Sequence, residues 1–243
     1  DFPLIDSQQA HKHMAINCLR YLQSGSLMLE SEVSGTATID PSVTFKLPRH
    51  RFDFDARHYR REHLGIEDEY DPFEYKEARP QHPFLSYAVE NWSYHASFYD
   101  VVDDEFFEAI TDFLKPDSIS FLRWLILQWG STSTSKESSD GLPSALHIAA
   151  FAGLSELALR LVQQGAPVSA FDAQERIPLH WAASNVHAKL ASLLIQIGSN
   201  PDAADGRGLK PIHLAALKSH AAVVTVLLEA GVKPDSIKTK ENH

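Results

Sequence analysis

Hydrophobic and polar positions repeat with a fixed period in the C-terminal part of this chain. A small residue or proline, an aliphatic residue and a histidine form a motif that ends at His147, His180 and His213, 33 residues apart. A second marker keeps the same period, since a glycine follows each histidine by 18 residues, at Gly165, Gly198 and Gly231. Two independent markers with one period indicate an internal repeat.

Each repeat unit carries the pattern of two short helices. Small residues follow each histidine and allow close helix packing, at Ala149–Ala150, Ala182–Ala183 and Ala215–Ala216. Leucines at helical spacing then provide an apolar stripe for a second helix, at Leu161, Leu193, Leu194, Leu227 and Leu228. The glycine after each stripe favours a helix end with positive φ. The pattern therefore predicts a helix, a turn, a second helix and a finger-like loop in every unit.

These units resemble the ankyrin repeat, whose motif contains Asp, Gly, Thr-Pro-Leu-His, Ala-Ala, Gly-His, Leu-Leu and Gly-Ala. The departures are Ser144, Ile177 and Lys210 at the motif threonine, Ala145 at the proline, and Val186 and Ser219 at the inter-helix glycine. A side chain in a left-handed turn costs about 1 kcal/mol, so we expect the turns at Val186 and Ser219 to be strained or reshaped.

The first 130 residues predict helices without this period. Helical spacing of apolar residues indicates helices over 7–24, after Pro83, over 106–114 and over 118–129, which can share one core. Charged, aromatic and proline residues alternate near 30–81, which predicts a long insertion or a mobile loop. Ser and Thr dominate 131–138, as is typical of a linker.

The predicted fold is therefore all-α, with a helical N-terminal region over 1–130 followed by an α-solenoid of about three ankyrin repeats. The repeats are placed at 139–171, 172–204 and 205–237, and a tail at 238–243. Because the chain starts without Met and stops just after a repeat, we expect it to be a fragment of a larger protein.

Two segments of the N-terminal region carry a second resemblance. They are Ala-His-Lys-His-Met-Ala at 10–15 with 18–22, and Pro-Phe-Leu-Ser-Tyr-Ala at 83–88 with 91–96. They resemble a segment of fungal NACHT-ankyrin (NLR-like) proteins that lies between the nucleotide-binding module and the repeats. The resemblance implies a helical connector in a signalling or recognition protein. No Gly-x-x-x-x-Gly-Lys-Ser/Thr motif occurs, so we assign no NTPase activity.

Composition and charge exclude several function classes. The formal net charge of −10 disfavours general nucleic-acid binding, which depends on clustered Lys and Arg. No apolar run approaches the roughly 18 residues of a membrane span, so no membrane association is predicted. Cys18 is the single cysteine, which excludes an intrachain disulfide and favours an intracellular protein, cytoplasmic or nuclear. On the apolar face of its helix, Cys18 is interpreted as a core residue.

Several histidines are candidates for catalytic or metal sites. The repeat histidines recur about 10 Å apart, too far to share one ion, and by resemblance they form structural hydrogen bonds. The best candidate for a metal site consists of His58, Glu62 and His63, with His11 and His13 as further ligands. However, His58 and His63 are five positions apart, so they point in different directions on a helix. The acidic run at 67–71 lacks the turn glycine of an EF-hand. We therefore predict no metal, no cofactor and no catalytic residue.

Protein binding is the favoured function, because ankyrin proteins usually bind partners with their loop tips and inner helices. The predicted concave-face residues are Phe171, Ala173, Gln174, Arg176, Ser184, Asn185, Arg207, Leu209, Leu217 and Lys218. The alternative is an enzyme with its active site in the His-, Arg- and acid-rich N-terminal region, around His58, Arg60, Glu62 and His63, with the repeats as a buttress. A structural spacer is a third possibility, and the oligomeric state stays open.

Overall fold

Helices make up every regular element in the described part of the chain, which confirms the all-α prediction. The computed structural model describes residues 7–24, 84–99, 102–115, 118, 120–121, 124–125, 128 and 141–233. The predicted insertion at 30–81, linker at 131–138 and tail at 238–243 lie outside these residues.

Three helices lie in the N-terminal helical unit, defined here as the described residues up to 128. They are α1 (Ser7–Gln23), α2 (Leu85–Ser97) and α3 (Asp104–Phe113). Residues 120, 121, 124, 125 and 128 are also helical. Aromatic side chains fill the core between them, because Trp92, Phe113, Phe121 and Trp124 have no exposed surface. The indole N–H of Trp124 donates to the carbonyl of Val89 at 3.2 Å, which fixes this ring on α2.

A buried lysine ties α1 to the start of α3. Lys12 Nζ lies 2.6 Å from Asp103 Oδ2 and 2.7 Å from Glu105 Oε2, and these hydrogen bonds raise the pKa of Lys12. Asp103 also caps α3, because its Oδ1 accepts the backbone N–H of Phe106 at 2.9 Å. The cap explains why α3 begins at Asp104, two residues before the start expected from the apolar pattern.

Six further helices form three consecutive pairs, which make up the repeat stack. They are α4 (Ala145–Ala152) with α5 (Ser155–Gln163), α6 (Pro178–Ser184) with α7 (Ala188–Gln196), and α8 (Pro211–Leu217) with α9 (Ala221–Glu229). The inner helices α4, α6 and α8 pack in series, and so do the outer helices α5, α7 and α9. Proline opens α6 and α8, where its missing N–H needs no partner.

The turns between paired helices are left-handed, as the sequence predicts. Gly153 has φ +73°, Val186 has φ +66° and Ser219 has φ +59°. The chain thus keeps the left-handed conformation at Val186 and Ser219, where a side chain makes it strained. Histidines hold the turns in place, since His187 Nε2 donates to the carbonyl of Phe151 at 2.9 Å. The Gly153 turn has a second constraint, because a Cβ there would lie 2.5 Å from His187 Nδ1. Glycine is therefore required at 153.

The helical unit and the first repeat unit are in direct contact. Helix α2 packs against α4, and Arg160 on α5 reaches α3. The Arg160 guanidinium donates to the carbonyl of Val102, lies 2.7 Å from Asp104 Oδ1 and sits 4.3 Å from the centre of the Phe107 ring. This contact covers the first repeat on its N-terminal side. The packing expected specifically for helix 118–129 stays a prediction.

Candidate partner-binding surface

The finger loops that connect the repeat units are hydrogen-bonded to one another. The N–H of Ala173 donates to the carbonyl of Gly141 at 2.7 Å, and the N–H of Gly206 donates to the carbonyl of Gln174 at 2.8 Å. These backbone bonds place the three loops side by side. Residues of successive loops therefore lie next to one another along the stack.

A buried aspartate shapes each of the two loops between units. Asp172 Oδ1 accepts the backbone N–H groups of Gln174 at 2.9 Å and Arg176 at 3.0 Å. Asp205 Oδ1 accepts the equivalent N–H groups of Arg207 at 2.9 Å and Leu209 at 2.8 Å. Because both carboxylates are about 95% buried and bonded to the loop backbone, the loops are rigid before any partner binds.

Arg176 is engaged within its own loop. Its Nε donates to Asp172 Oδ2 at 2.8 Å, its Nη2 donates to Gln174 Oε1 at 2.9 Å, and its guanidinium lies 4.9 Å from the centre of the Trp181 ring. Trp181 Nε1 donates to the same Asp172 oxygen at 2.8 Å. Burial alone would raise the pKa of Asp172, but the charge and hydrogen bonds of Arg176 hold it below the ordinary value.

The sequence analysis missed Asp172 and Trp181 as organisers of this loop. An available signal was the recurrence of aspartate at 172 and 205, which shares the 33-residue period of the histidines.

The repeat histidines connect consecutive units, as their motif position implies. His147 Nδ1 accepts the N–H of Ser144 at 3.2 Å, and its Nε2 donates to the carbonyl of Arg176 at 2.9 Å. His180 repeats this arrangement, with its Nε2 bonded to the carbonyl of Leu209 at 3.1 Å. Burial lowers the pKa of His147 to about 4 and that of His180 in the same direction. Neutral rings with both nitrogens bonded act as structural links.

The ten predicted residues fall into two classes. Phe171, Ala173, Gln174, Arg207, Leu217 and Lys218 are exposed, whereas Arg176, Ser184, Asn185 and Leu209 are half-buried. Phe171 is 61% exposed and Leu217 is 63% exposed, so both large apolar side chains present most of their surface to solvent. Lys218 Nζ donates to the carbonyl of Ser184 at 3.2 Å, so the ends of α6 and α8 are neighbours. Which of these residues touch a partner stays a prediction.

A second exposed cluster lies on the helical unit and was not anticipated. Tyr94 is 54% exposed and Phe98 47% exposed, and both rings contact His11. His11 Nδ1 lies 2.8 Å from His95 Nδ1, and the hydroxyl of Tyr87 is hydrogen-bonded to His95 Nε2. Burial, and secondarily His11, lower the pKa of His95. The sequence analysis had followed only the buried face of α2.

The grooves and polar clusters in the described part of the chain bear on the enzyme and metal-site alternatives. An open groove of about 310 Å³ lies there between outer helices and is lined by Ser155, Lys189, Ser192, Leu193 and Gln196. Among the described residues, no three His, Cys, Asp or Glu side chains are grouped to hold a metal ion. His58, Arg60, Glu62, His63 and the acidic run at 67–71 lie outside the described residues.

None of the described helices combines the length and apolar character that crossing a bilayer requires.

The comparison with protein-family models agrees with the repeat pattern. Residues 146–238 match the family model for ankyrin repeats in three copies. The human ASB11 ankyrin repeat domain is 32% identical over 37% of this chain and 41% of that chain, with a TM-score of 0.36. The chain thus spans less than half of that chain's length. No curated protein matches the sequence. The sequence match to ankyrin repeats therefore extends over residues 146–238.

Proposed function

We propose that this chain binds a protein partner through the concave face formed by the finger loops and inner helices of its ankyrin repeats. Ankyrin repeats are in general protein–protein interaction modules and typically lack catalytic activity. The observation that carries the proposal for this chain is the exposure of Phe171, which directly precedes a tightly bonded finger loop, and of Leu217, at the end of inner helix α8.

Rigid loops favour binding because little conformational entropy is lost when the partner arrives. The loop backbone is held by Asp172 and Asp205 and by the bonds between neighbouring loops. Side chains on such a frame keep their positions in the free protein. The surface is therefore suited to recognise a partner of fixed shape.

Phe171 is the best candidate for an apolar anchor. Aromatic side chains that become fully buried on binding often contribute about 2 kcal/mol or more to an interface. Phe171 has 61% of its surface available for such burial, and it directly precedes the rigid turn at Asp172.

Charged groups on the same surface suggest the polarity of the partner. Arg207 is exposed at the second loop, and Lys218 is exposed at the end of α8. Arg176 contributes less, because its guanidinium already binds Asp172 and Gln174. A partner segment that combines an apolar side chain with carboxylates fits this arrangement.

The wider context is also proposed rather than established. The resemblance of 10–15 and 83–88 to fungal NACHT-ankyrin proteins supports a helical connector in an intracellular signalling or recognition protein. Sequencing the complete transcript tests this context, because an upstream nucleotide-binding module would support it and an unrelated upstream domain would contradict it.

Affinity capture with the full chain tests the binding proposal. A captured protein is identified by mass spectrometry and its dissociation constant measured by calorimetry. The double variant Phe171→Ala/Arg207→Ala should weaken binding by a few kcal/mol while changing stability by less than about 1 kcal/mol. The control, Lys189→Ala/Gln196→Ala, changes two exposed residues on outer helix α7. Equal binding by both double variants and the unmodified chain would contradict the proposal.

A further inference from the structure

One residue of the first loop between units has a backbone conformation that its side chain makes costly. Glu175 has φ +57°, in the left-handed region that favours glycine. The equivalent residue of the next loop, 33 positions on, is Gly208 with φ +83°. The N–H of Glu175 donates to the carbonyl of Asp172 at 2.9 Å, and the N–H of Gly208 donates to the equivalent carbonyl at 2.8 Å. The turn therefore needs a left-handed residue, which glycine provides without strain.

The Glu175 side chain makes no contact that would offset this strain. The residue is exposed, and its carboxylate forms no hydrogen bond or ion pair with any other described residue. The adjacent Arg176 does not approach it, because the Arg176 guanidinium binds Asp172 and Gln174. Strain that folding does not require is found most often at functional sites. The side chain at 175 is therefore best explained by recognition of another molecule.

An opposite charge lies beside Glu175 on the neighbouring loop. Glu175 leans toward that loop, because a Cβ built at Gly206 would lie 3.8 Å from the Glu175 Cδ. Arg207, the next residue along the chain, is also exposed, and no ion pair joins it to Glu175 in the described structure. The backbone bond from Gly206 to Gln174 holds the two loops together. Two adjacent loop tips thus present a carboxylate and a guanidinium that do not neutralise each other.

We propose that the Glu175 carboxylate binds a basic side chain of the protein partner, while Arg207 binds a neighbouring carboxylate of the same partner. The role of Glu175 rests on the concave-face binding proposed above. It narrows the partner to a segment with a basic and an acidic side chain beside the apolar group that covers Phe171. A segment with carboxylates alone is repelled by Glu175, so this residue contributes to specificity.

Peptide selection on the full chain tests this charge pattern, with a displayed library of random peptides as the probe. Peptides selected on the unmodified chain should be enriched in Arg or Lys together with Asp or Glu. Selection on Glu175→Gln, which keeps a side chain of similar size in the strained turn, should lose the basic enrichment and keep the acidic one. A selected peptide, once synthesised, should bind Glu175→Gln about tenfold more weakly in calorimetry. Equal affinity would overturn the proposal.

Matched variants separate this proposal from concave-face binding in general. The control is Glu156→Gln, the same substitution at an exposed position of outer helix α5, which should leave the affinity unchanged. Peptides that lose affinity in Phe171→Ala but not in Glu175→Gln would overturn the role of Glu175 alone. Peptides insensitive to both variants, or a selection that yields no peptide, would contradict concave-face binding and the role of Glu175 with it.

Glycine at position 175 provides the second measurement. Glu175→Gly relieves the left-handed strain, so it should raise the melting temperature of the full chain by about 2–4 °C. The same variant should weaken binding of the selected peptide as much as Glu175→Gln does. The control is Gly208→Ala, which introduces a side chain at the equivalent position and should lower the melting temperature. A lower melting temperature in Glu175→Gly would show that the side chain stabilises the fold, and would overturn the proposal.

Discussion

Replacing Arg160 tests whether the helical unit and the repeats fold as one body. Arg160 on α5 contacts the helical unit with its guanidinium, and 26% of its side chain is exposed. Arg160→Ala removes the hydrogen bond to the carbonyl of Val102, the ion pair with Asp104 and the contact with the Phe107 ring. The change leaves the finger loops untouched, so its effect reports on the contact between units.

The magnitude follows from the three contacts. A hydrogen bond from a charged group to a partly buried carbonyl contributes about 1.5–3 kcal/mol. The ion pair adds less than about 1 kcal/mol, because the Asp104 side chain is 89% exposed. The ring contact adds about 0.5–1 kcal/mol at a partly exposed site. Since the contacts share one side chain and are not additive, we expect Arg160→Ala to lower the free energy of unfolding by about 2–3 kcal/mol.

Urea unfolding, followed by tryptophan fluorescence and circular dichroism, measures this loss. The matched control is Asp104→Asn, which removes only the exposed ion pair and should cost less than about 1 kcal/mol. Hydrogen exchange adds spatial information, because amides of α3 and α5 should lose protection together in Arg160→Ala. An unchanged free energy of unfolding, or a loss of protection confined to α5, would refute the coupling. Equal melting temperatures for residues 140–243 alone and for the whole chain would refute it as well.

The remaining predictions concern pH and the inter-helix turns. Burial lowers the pKa of His147 to about 4, so its contribution to stability is complete above the unfolded value of about 6.5 and is lost as the pH falls. We expect the free energy of unfolding to fall by up to about 3 kcal/mol between pH 7 and 4. Part of this loss should already be measurable by urea unfolding at pH 5. A constant free energy of unfolding from pH 7 to 5 would be inconsistent with a buried neutral ring. Val186→Gly should raise the free energy of unfolding by about 1 kcal/mol, because it relieves a left-handed valine that is 57% exposed. Gly153→Ala should lower the melting temperature, because the new Cβ would collide with His187. A melting temperature that falls in Val186→Gly and rises in Gly153→Ala would show that the turns are not strained.

Periodicity was sufficient to predict the repeat stack. Each unit buries the same apolar positions against its neighbour. The pattern of a histidine such as His147, an alanine pair and a leucine stripe therefore recurs in every unit. The left-handed turns at Val186 and Ser219 were predicted for the same reason, since their positions in the unit are fixed. The helical unit has no such period, so its sequence predicted the helices but not their exact bounds. The start of α3, for example, depends on the cap at Asp103.

The candidate site was only partly predictable. Loop position identifies residues that can be exposed, and Phe171 and Arg207 are. It does not reveal that Arg176 folds back on Asp172 and Trp181, because that choice depends on a buried carboxylate brought close by the loop. A polar side chain has many possible hydrogen-bond partners, and the sequence pattern does not indicate which of them it will bind. Hydrophobic burial is cumulative and patterned, whereas a single hydrogen bond is local.

Hydrogen exchange of the full chain with and without its captured partner tests the central claim most directly. If the partner binds the concave face, slowed exchange should be confined to amides of the finger loops at 171–176 and 204–210 and of the ends of α6 and α8. Outer helices α5, α7 and α9 should exchange at the same rate in the free and bound states. Protection that falls instead on the outer helices, or on α1 and α2 around His11 and Phe98, would contradict the account and place the partner elsewhere.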